Sequence, residues 1–301
     1  MSEIALDEFQ EIEVQPEKHI SNSQVGSYMR CSMILYWRYE KNVKSPPSSA
    51  ISFGVGIHKA LETNFKQKIY SKKDLPVDMV TDIFRDTWKE AAKITVFDPE
   101  KNENPDEMLD EGTSMISKYQ SEISPTIQPS VVETKFSIRL PGVSREVIGY
   151  IDLIDDKEVV IDHKTSRRTP DALTLAKDGQ LTLYKVGYRA KYGHDPRGLR
   201  YDYMVRRSSK KTGNWVEIHQ MQVERNAAQE RCMAATFQTV SQAISLKQYF
   251  TNPTSFMCSP VACGYWSRCQ GKILAGEPTP FLDEIHQMQA DAYRKMIQEG
   301  K

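Results

Sequence analysis

Two short apolar segments that each carry a carboxylate constrain this chain most. They are Gly149–Asp152 (GYID) and Ile161–Lys164 (IDHK), and apolar residues precede both carboxylates. This pattern predicts two buried strands. On neighbouring strands of a hairpin, side chains two residues apart share a face, so we expect Asp162 and Lys164 to project together with Asp152 opposite them.

Carboxylates and an ammonium group in this arrangement can act on a phosphate. Two carboxylates can hold a divalent metal there, and a nearby lysine can stabilise developing negative charge or orient the attacking water. The alternative is a solvated face, because charged residues are common on hairpin surfaces. The apolar surroundings favour the first interpretation, since a buried charge needs a partner or a metal.

Two predicted helices carry further polar residues. Phe53–Glu62 contains two glycines and is expected to open a helix on which His58 and Glu62 share a face. His58 is a candidate metal ligand, with a hydrogen-bonded structural histidine as the alternative. Gln180 and Tyr184 have the same spacing on a later helix, where they can reach a metal-bound water and a DNA backbone, or can serve core and surface roles.

The cysteines form a second pattern. Three of the five, Cys258, Cys263 and Cys269, lie in one loop, and Cys31 lies far upstream. Four thiolates can ligate zinc or an iron-sulfur cluster, and buried apolar cysteines are a further alternative. The odd count and the lack of a secretory signal disfavour a disulfide framework. Cys232 lies in a predicted helix and is expected to be a packed small side chain.

In order and spacing, these segments resemble the RecB-type branch of the PD-(D/E)xK nuclease superfamily over most of the chain. The resemblance implies four metal-binding groups, on His58, Asp152, Asp162 and the backbone carbonyl of His163. It also implies that Lys164 is catalytic and that Gln180 and Tyr184 support the substrate and the lysine. The sequence departs from the family pattern at Ile151, which stands where a proline precedes the aspartate.

The cysteine pattern is similar to that of AddB-type nucleases and of the CRISPR-associated nuclease that trims spacer precursors. That resemblance implies a 4Fe-4S cluster on four residues, Cys31, Cys258, Cys263 and Cys269. Four residues separate the first two cysteines of the C-terminal trio, whereas related nucleases usually have two. The cluster is expected to join the N- and C-terminal segments over the nuclease core, and closing so long a loop stabilises a fold by several kcal/mol in principle.

Composition and net charge limit the classes of protein to which this chain can belong. The chain has 301 residues, 39% hydrophobic and 27% charged, with no net charge, which is consistent with one elaborated domain. Phosphate binding must therefore use local basic runs, and Lys164–Arg168 and Arg206–Lys211 are the candidates, with solvated turns as the alternative. Acidic residues near 98–111 are expected to shield surface away from DNA. No apolar stretch is long enough for a bilayer, and the acidic opening Met1–Glu8 is unlike a signal peptide, so we expect a cytoplasmic protein.

The predicted fold is α/β, restriction-endonuclease-like, with a mixed central sheet flanked by helices. Residues 1–18 are expected to be a flexible arm, 19–275 a nuclease domain with a helical insertion near 54–125, and 276–301 a helical tail. Helices are predicted at 19–42, 54–70, 77–93, 106–122, 171–192, 226–250 and 280–299. Strands are predicted at 131–140, 146–154, 158–164, 199–206 and 214–223.

These expectations combine into a metal-dependent deoxyribonuclease that uses Mg²⁺ or Mn²⁺. We predict an exonuclease acting on single strands or duplex ends, in recombination, repair, phage DNA metabolism or CRISPR spacer processing. The sequence has no Walker-type phosphate loop, so unwinding would need a separate helicase. A recombinase, a CRISPR adaptation partner or further copies of the chain are other expected partners, and no membrane is. The alternatives are a non-catalytic DNA-binding or assembly subunit of a helicase-nuclease complex, and a zinc-stapled protein without nuclease activity.

Overall fold

The structure is a computed structural model, and it describes residues 19–101, 103–209 and 213–299. The predicted arm at 1–18 lies outside the described residues, as do Lys210 and Lys211 of the second basic run. The α-helices are α1 (Asn22–Arg30), α2 (Met33–Leu35), α3 (Ser49–Ser71), α4 (Val77–Ala92), α5 (Pro105–Glu122), α6 (Ala172–Lys177), α7 (Gln180–Tyr192), α8 (Ala227–Ser245), α9 (Gln270–Ala275) and α10 (Pro280–Gln298). The strands are β1 (His19–Ser21), β2 (Pro129–Ile138), β3 (Glu146–Asp155), β4 (Val159–Ser166), β5 (Gly198–Ser209) and β6 (Gly213–Val223).

The chain divides into two compact units. One holds Met1–Pro46, Ser137–Ile148 and Arg231–Lys301, and the other holds Pro47–Phe136 and Gly149–Glu230. All the residues predicted for the metal centre lie in the second unit, whereas the four cysteines predicted for the cluster lie in the first. The two candidate sites can therefore be described separately.

The sheet is mixed, as the sequence predicts. In the second unit β3 is antiparallel to β4, β4 is parallel to β5, and β5 is antiparallel to β6. Strand β2 also pairs with β3. In the first unit β1 runs parallel to the start of β3, with Ile20 opposite Val147. Helices flank this sheet, so the predicted α/β class with a mixed sheet is confirmed.

A tight turn sets the register of the β3–β4 hairpin. The Asp155 side chain accepts hydrogen bonds from the backbone N–H groups of Lys157 and Val159, at 2.9 and 2.8 Å. Glu158 adopts a left-handed conformation with φ of 61° within this turn. The turn places Leu153 opposite Ile161, and a one-residue slip would move every following side chain to the opposite face.

Local sequence signals explain several helix ends. Asn104 caps α5 by accepting hydrogen bonds from the N–H groups of Asp106 and Glu107, and a proline occupies the first turn, where no N–H partner is needed. Helix α7 ends at Gly193, whose φ of 82° favours glycine.

Three predicted helices differ from the observed elements. The single helix predicted at 19–42 is instead β1, α1, α2 and a π-helical turn. The backbone at Cys31 is extended, and this ends α1. The helix predicted at 171–192 is interrupted at Asp178, because this side chain binds the N–H of Gln180 and competes with the helix. The helix predicted to open at the glycines of 54–70 already starts at Ser49, so Gly54 lies inside it.

The core of the second unit contains α3, α4 and α5 together with strands β2 to β6. Its fully buried side chains include Phe53, Phe84, Trp88, Tyr119, Leu153, Ile161 and Met204. Close packing depends on Gly112, because a Cβ atom at that position would lie 2.0 Å from the Phe84 ring. This core supports the helix and strands that carry the candidate site.

We expect Gly112→Ala to destabilise the protein, although alanine favours a helix over glycine by about 1 kcal/mol. The clash with Phe84 should outweigh that gain, since overpacking typically costs about 1–3 kcal/mol. Urea unfolding midpoints measure the difference. Gly54→Ala is the control, because the nearest neighbour of a Cβ atom added there, Thr165 Oγ1, would lie 4.0 Å away. Equal stabilisation by both substitutions would contradict the packing argument.

Candidate active site

Asp162, Lys164 and Gln180 form one connected polar cluster. The Lys164 ammonium lies 2.7 Å from Asp162 Oδ2 and donates to Gln180 Oε1 at 2.6 Å. The Gln180 amide in turn donates to Asp162 Oδ1 at 2.8 Å. Asp162 is fully buried, while about a quarter of the Lys164 side chain, 26%, is exposed. The lysine is therefore held firmly and still reaches solvent.

Helix α7 supplies the next contact. Gln180 Nε2 also lies 2.8 Å from the Tyr184 hydroxyl, one turn further along the helix. Asp178 fixes the start of α7, because it accepts hydrogen bonds from the Gln180 N–H and from the hydroxyl of Tyr201 on β5. The interruption between α6 and α7 thus places Gln180 against β4.

Asp152 on β3 lies on the other side of this cluster. Its Oδ2 accepts a hydrogen bond from the backbone N–H of His163 at 3.1 Å. The same oxygen lies 3.3 Å from Nδ1 of His58 on α3. The structure therefore brings His58 to Asp152, whereas Glu62, on the same face of α3, pairs with Lys59 and Lys66.

Glu133 on β2 is a residue that the sequence analysis missed. Donor atoms of His58, Glu133 and Asp152 all lie within 4.8 Å of one another. Glu133 has a left-handed φ of 50°, which is uncommon for a residue other than glycine. No sequence signal marks this position, because a lone glutamate in a run of strand residues usually faces solvent.

The side chain of His163 has a role beyond the predicted carbonyl. Its ring is buried and stacks on Phe65. The ring atom Nε2 lies 3.0 Å from the Tyr119 hydroxyl. Tyr119 donates to the fully buried Asp202 at 2.7 Å, and Arg200 pairs with that carboxylate. This buried chain of contacts runs behind Asp152, and Tyr119 and Asp202 were also missed.

Burial and mutual repulsion control the charges in the site. Burial and the nearby Asp152 raise the pKa of Asp162 to about 7, although Lys164 opposes the shift. Burial, Asp152 and Glu62 raise the pKa of Glu133 to about 7. Burial also acts to raise the pKa of Asp152, but hydrogen bonding from His163 and the proximity of His58 outweigh it and leave this pKa below its usual value. The carboxylates of Glu133, Asp152 and Asp162 therefore lie close together, and the nearby cationic side chains do not fully compensate their negative charge.

This donor set fits a divalent metal ion. Carboxylate oxygens suit Mg²⁺ and Mn²⁺, and imidazole is a common additional ligand for transition metals. Among the described residues, His58, Glu133 and Asp152 form a group of three donors whose ligand atoms lie within 4.8 Å of one another. Asp162 is not part of that group, and its carboxylate contacts Lys164 and Gln180.

The two predicted basic runs differ in their surroundings. Arg167 and Arg168 follow β4 and are exposed. In the second run, Arg206 pairs with Glu111 at 2.6 Å and Arg207 with Glu217 at 2.9 Å. The first run therefore leaves its guanidinium groups open to solvent beside the site, whereas the described part of the second run is engaged in ion pairs.

The cysteines meet in the first unit. Cys31, Cys258, Cys263 and Cys269 line one cavity together with apolar side chains such as Trp37 and Tyr265. Burial and the proximity of Cys31 raise the pKa of Cys269 to about 12. No three of the four sulfurs lie within 4.8 Å of one another, since the described residues contain no such cysteine group. Cys232 is exposed and not buried, so its predicted role as a packed side chain is wrong.

A mixed sheet whose central hairpin presents two aspartates and a lysine, with supporting helices on either side, defines a nuclease-type fold and site. A sequence model of the PD-(D/E)XK nuclease superfamily matches residues 19–270. The chain therefore belongs to the PD-(D/E)XK nuclease superfamily, whose members use divalent metals and act on DNA. No curated protein matches the sequence.

One solved structure supports the fold. A protein of Eubacterium rectale described as a presumed exonuclease is similar with a TM-score of 0.54 and 9% identity, over 83% of this chain and 92% of that chain. A second solved protein, SSO0001, covers 83% of this chain and 90% of its own at 12% identity, with a TM-score of only 0.35. Among the described residues, no helix combines the length and apolar character needed to cross a bilayer.

The raised pKa values predict how stability depends on pH in metal-free protein. Glu133 keeps its proton to about pH 7 when folded but releases it near 4.5 when unfolded. The folded state binds more protons in this window, so this group's contribution to the free energy of unfolding falls as the pH rises. Glu133→Gln should therefore gain stability relative to the parent protein as the pH increases through the window.

Urea unfolding of EDTA-treated protein at about pH 5 and about pH 8 measures this difference. Glu62→Gln is the matched control, because ion pairs with Lys59 and Lys66 lower the pKa of Glu62 despite its burial. A Glu133→Gln effect that is equal at both pH values would contradict the assignment.

Proposed function

We propose that this protein is a metal-dependent DNA exonuclease of the RecB-type branch of its superfamily. The observation that carries the proposal is the Asp162–Lys164–Gln180 cluster, in which a buried carboxylate and an amide hold one partly exposed ammonium beside Asp152. An ion pair made only for stability gains little from burial of this kind, because desolvation offsets the attraction. A functional site explains the arrangement better.

The metal would be held by His58, Asp152, Asp162 and the backbone carbonyl of His163. A bound divalent ion supplies charge that polarises a phosphate and lowers the pKa of water. Asp162 Oδ1 accepts a hydrogen bond from Gln180 and Oδ2 forms an ion pair with Lys164, so these two residues fix the orientation of its carboxylate. His58 and the His163 N–H do the same for Asp152.

Lys164 would stabilise the negative charge that develops on the phosphate. Burial acts to lower its pKa, but Asp162 raises it above its usual value, so the ammonium stays protonated. Gln180 holds this ammonium, and Tyr184 holds Gln180. Burial also raises the pKa of Tyr184, and the tyrosine therefore remains a neutral hydroxyl that can support the lysine and the DNA backbone.

The surroundings of His58 suit the binding of single-stranded DNA. Ile51 and Val55 lie two turns and one turn before His58 on the same face of α3, and their exposed fractions are 59% and 56%. Arg167 and Arg168 follow β4 close by, since Thr165 lies next to Gly54 of α3. Proteins bind single strands with positive charge along the backbone and with aromatic side chains on which bases stack. Ile51 and Val55 are aliphatic and would add only apolar contact to bases, so the charge of Arg167 and Arg168 carries this argument. We therefore favour single-stranded DNA or a frayed end as the substrate.

The four cysteines would hold a 4Fe-4S cluster. The four residues line one cavity together with apolar side chains, and four thiolates are the ligand set of such a cluster. A metal would also allow the buried thiol of Cys269 to ionise. Such a cluster would tie Cys31, at the end of α1, to the loop that follows α8.

The cellular context is the broadest part of the proposal. A single-strand exonuclease without a nucleotide-binding loop fits recombination, repair, phage DNA metabolism or CRISPR spacer processing. It would work in the cytoplasm with a separate helicase, a recombinase or an adaptation complex. Residues 19–275 would form the nuclease module, and 276–301 a helical tail.

Incubation with end-labelled DNA tests the activity. We expect Mg²⁺- or Mn²⁺-dependent degradation of linear single strands, loss of degradation with EDTA, and resistance of a circular single strand. Lys164→Ala should lower the rate by at least about a hundredfold, because removal of one group that stabilises transition-state charge costs about 10²–10³ in rate.

Lys66→Ala is the matched control, since Lys66 pairs with Glu62 at the surface of α3 and should leave the rate unchanged. Cleavage of the circle would replace the exonuclease assignment by an endonuclease. Undiminished cleavage by Lys164→Ala would rule out the proposed site.

Metal analysis of anaerobically purified protein tests the cluster. We expect about four iron atoms per chain and visible absorption that Cys263→Ser removes, because a 4Fe-4S cluster takes four cysteine ligands. Cys232→Ser should keep both, since Cys232 is exposed. Stoichiometric zinc with no iron would overturn the cluster assignment.

A further inference from the structure

We infer that Glu133 is a metal ligand and that His58, Glu133 and Asp152 form a second divalent-cation position beside the one proposed at Asp152 and Asp162. The inference rests on the proposed function, because it adds a cation to the same centre. It concerns a strand, β2, to which the sequence analysis gave no role in the site.

The first argument is the geometry of the donors. One donor atom from each of His58, Glu133 and Asp152 lies within 4.8 Å of the other two. Three atoms this close can contact one cation at the distances of about 2.0–2.6 Å that carboxylate and imidazole ligands adopt. The three residues come from α3, β2 and β3, so the grouping depends on the fold and is not a local cluster along one helix.

The second argument is that Glu133 has no partner. Within the described residues this half-buried carboxylate forms no hydrogen bond or ion pair, and Asp152 faces it. Lys66, whose charge acts on Glu133, pairs with Glu62 instead. Among the described residues Glu133 therefore has no ion-pair partner, and a bound cation would stabilise this half-buried carboxylate.

The third argument is that the carboxylates belong to two different sets of donors. Asp162 contacts Gln180 through Oδ1 and Lys164 through Oδ2, and it is not one of the three donors grouped around Glu133. Asp152 and His58 are thus common to two donor sets, one that the proposed function completes with Asp162 and one that Glu133 completes. In two-metal nucleases and phosphatases, a paired ion stabilises the leaving oxygen as well as the attacking one.

The backbone of Glu133 is consistent with this role. A left-handed residue inside a strand interrupts the alternation of side chains, and Glu133 has this conformation with φ of 50°. Asparagine or glycine would adopt this conformation more readily. A glutamate there is explained if its carboxylate has a ligand.

Mn²⁺ binding to the purified, cluster-containing protein without DNA tests the inference. Titration followed by electron paramagnetic resonance should give two bound ions per chain for the parent protein and one for Glu133→Gln. Glu62→Gln is the matched control, because Glu62 lies on the same face of α3 but is already paired, and it should retain both ions. The Mn²⁺-induced rise in melting temperature should shrink in Glu133→Gln alone.

The outcomes separate this inference from the proposed function. A single ion in the parent protein, or two ions in Glu133→Gln, would overturn the second position while leaving a nuclease with one metal. No bound ion together with no cleavage would remove the proposed function itself. Should Glu133→Gln fail to fold, Glu133→Asp keeps the carboxylate but shortens its reach, and it should weaken one site while the other keeps its affinity.

Discussion

The register of the β3–β4 hairpin is the constraint on which the candidate site depends. Asp155 binds two backbone N–H groups of the turn, and this places Leu153 opposite Ile161. Continued along the strands, the same register brings Asp152 beside the segment of Asp162 and His163, where the N–H of His163 reaches the Asp152 carboxylate. Because strand side chains alternate strictly, a slip of one residue between β3 and β4 would leave Asp152 on the opposite face of the sheet from Asp162 and Lys164.

Helices α7 and α3 bring the remaining polar side chains to the hairpin. Helix α7 starts where Asp178 interrupts the preceding helix, and this break positions Gln180 against Asp162 and Lys164. Helix α3 carries His58 to Asp152 from the other direction. Behind them, the contacts from His163 through Tyr119 to Asp202 anchor the hairpin in the core. The site thus concentrates buried carboxylates at a cost in stability, and cations are the physical means of offsetting that cost.

Much of the architecture could be predicted from periodicity. The apolar runs before Asp152 and Asp162 predicted adjacent buried strands, and the mixed sheet with flanking helices is confirmed. Predictions based on helical spacing were wrong where a side chain competes with the backbone. Asp178 splits one predicted helix, and the extended conformation at Cys31 ends another. Such breaks depend on tertiary partners, such as the Tyr201 hydroxyl that binds Asp178, and a helical pattern along the chain does not reveal them.

By itself, the sequence determined the family-defining spacing, the hairpin, and the residue types available for chemistry. The spacing of Asp162 and Lys164 on one strand is enough to place them on one face, because the period of a strand is two. Only the tertiary structure decided which distant groups meet: Gln180 with Lys164, His58 with Asp152, and Glu133 with both His58 and Asp152. The sequence pattern could not identify Glu133 as a site residue. Its placement depends on its own left-handed backbone conformation and on the pairing of β2 with β3, and neither leaves a periodic signal in the chain.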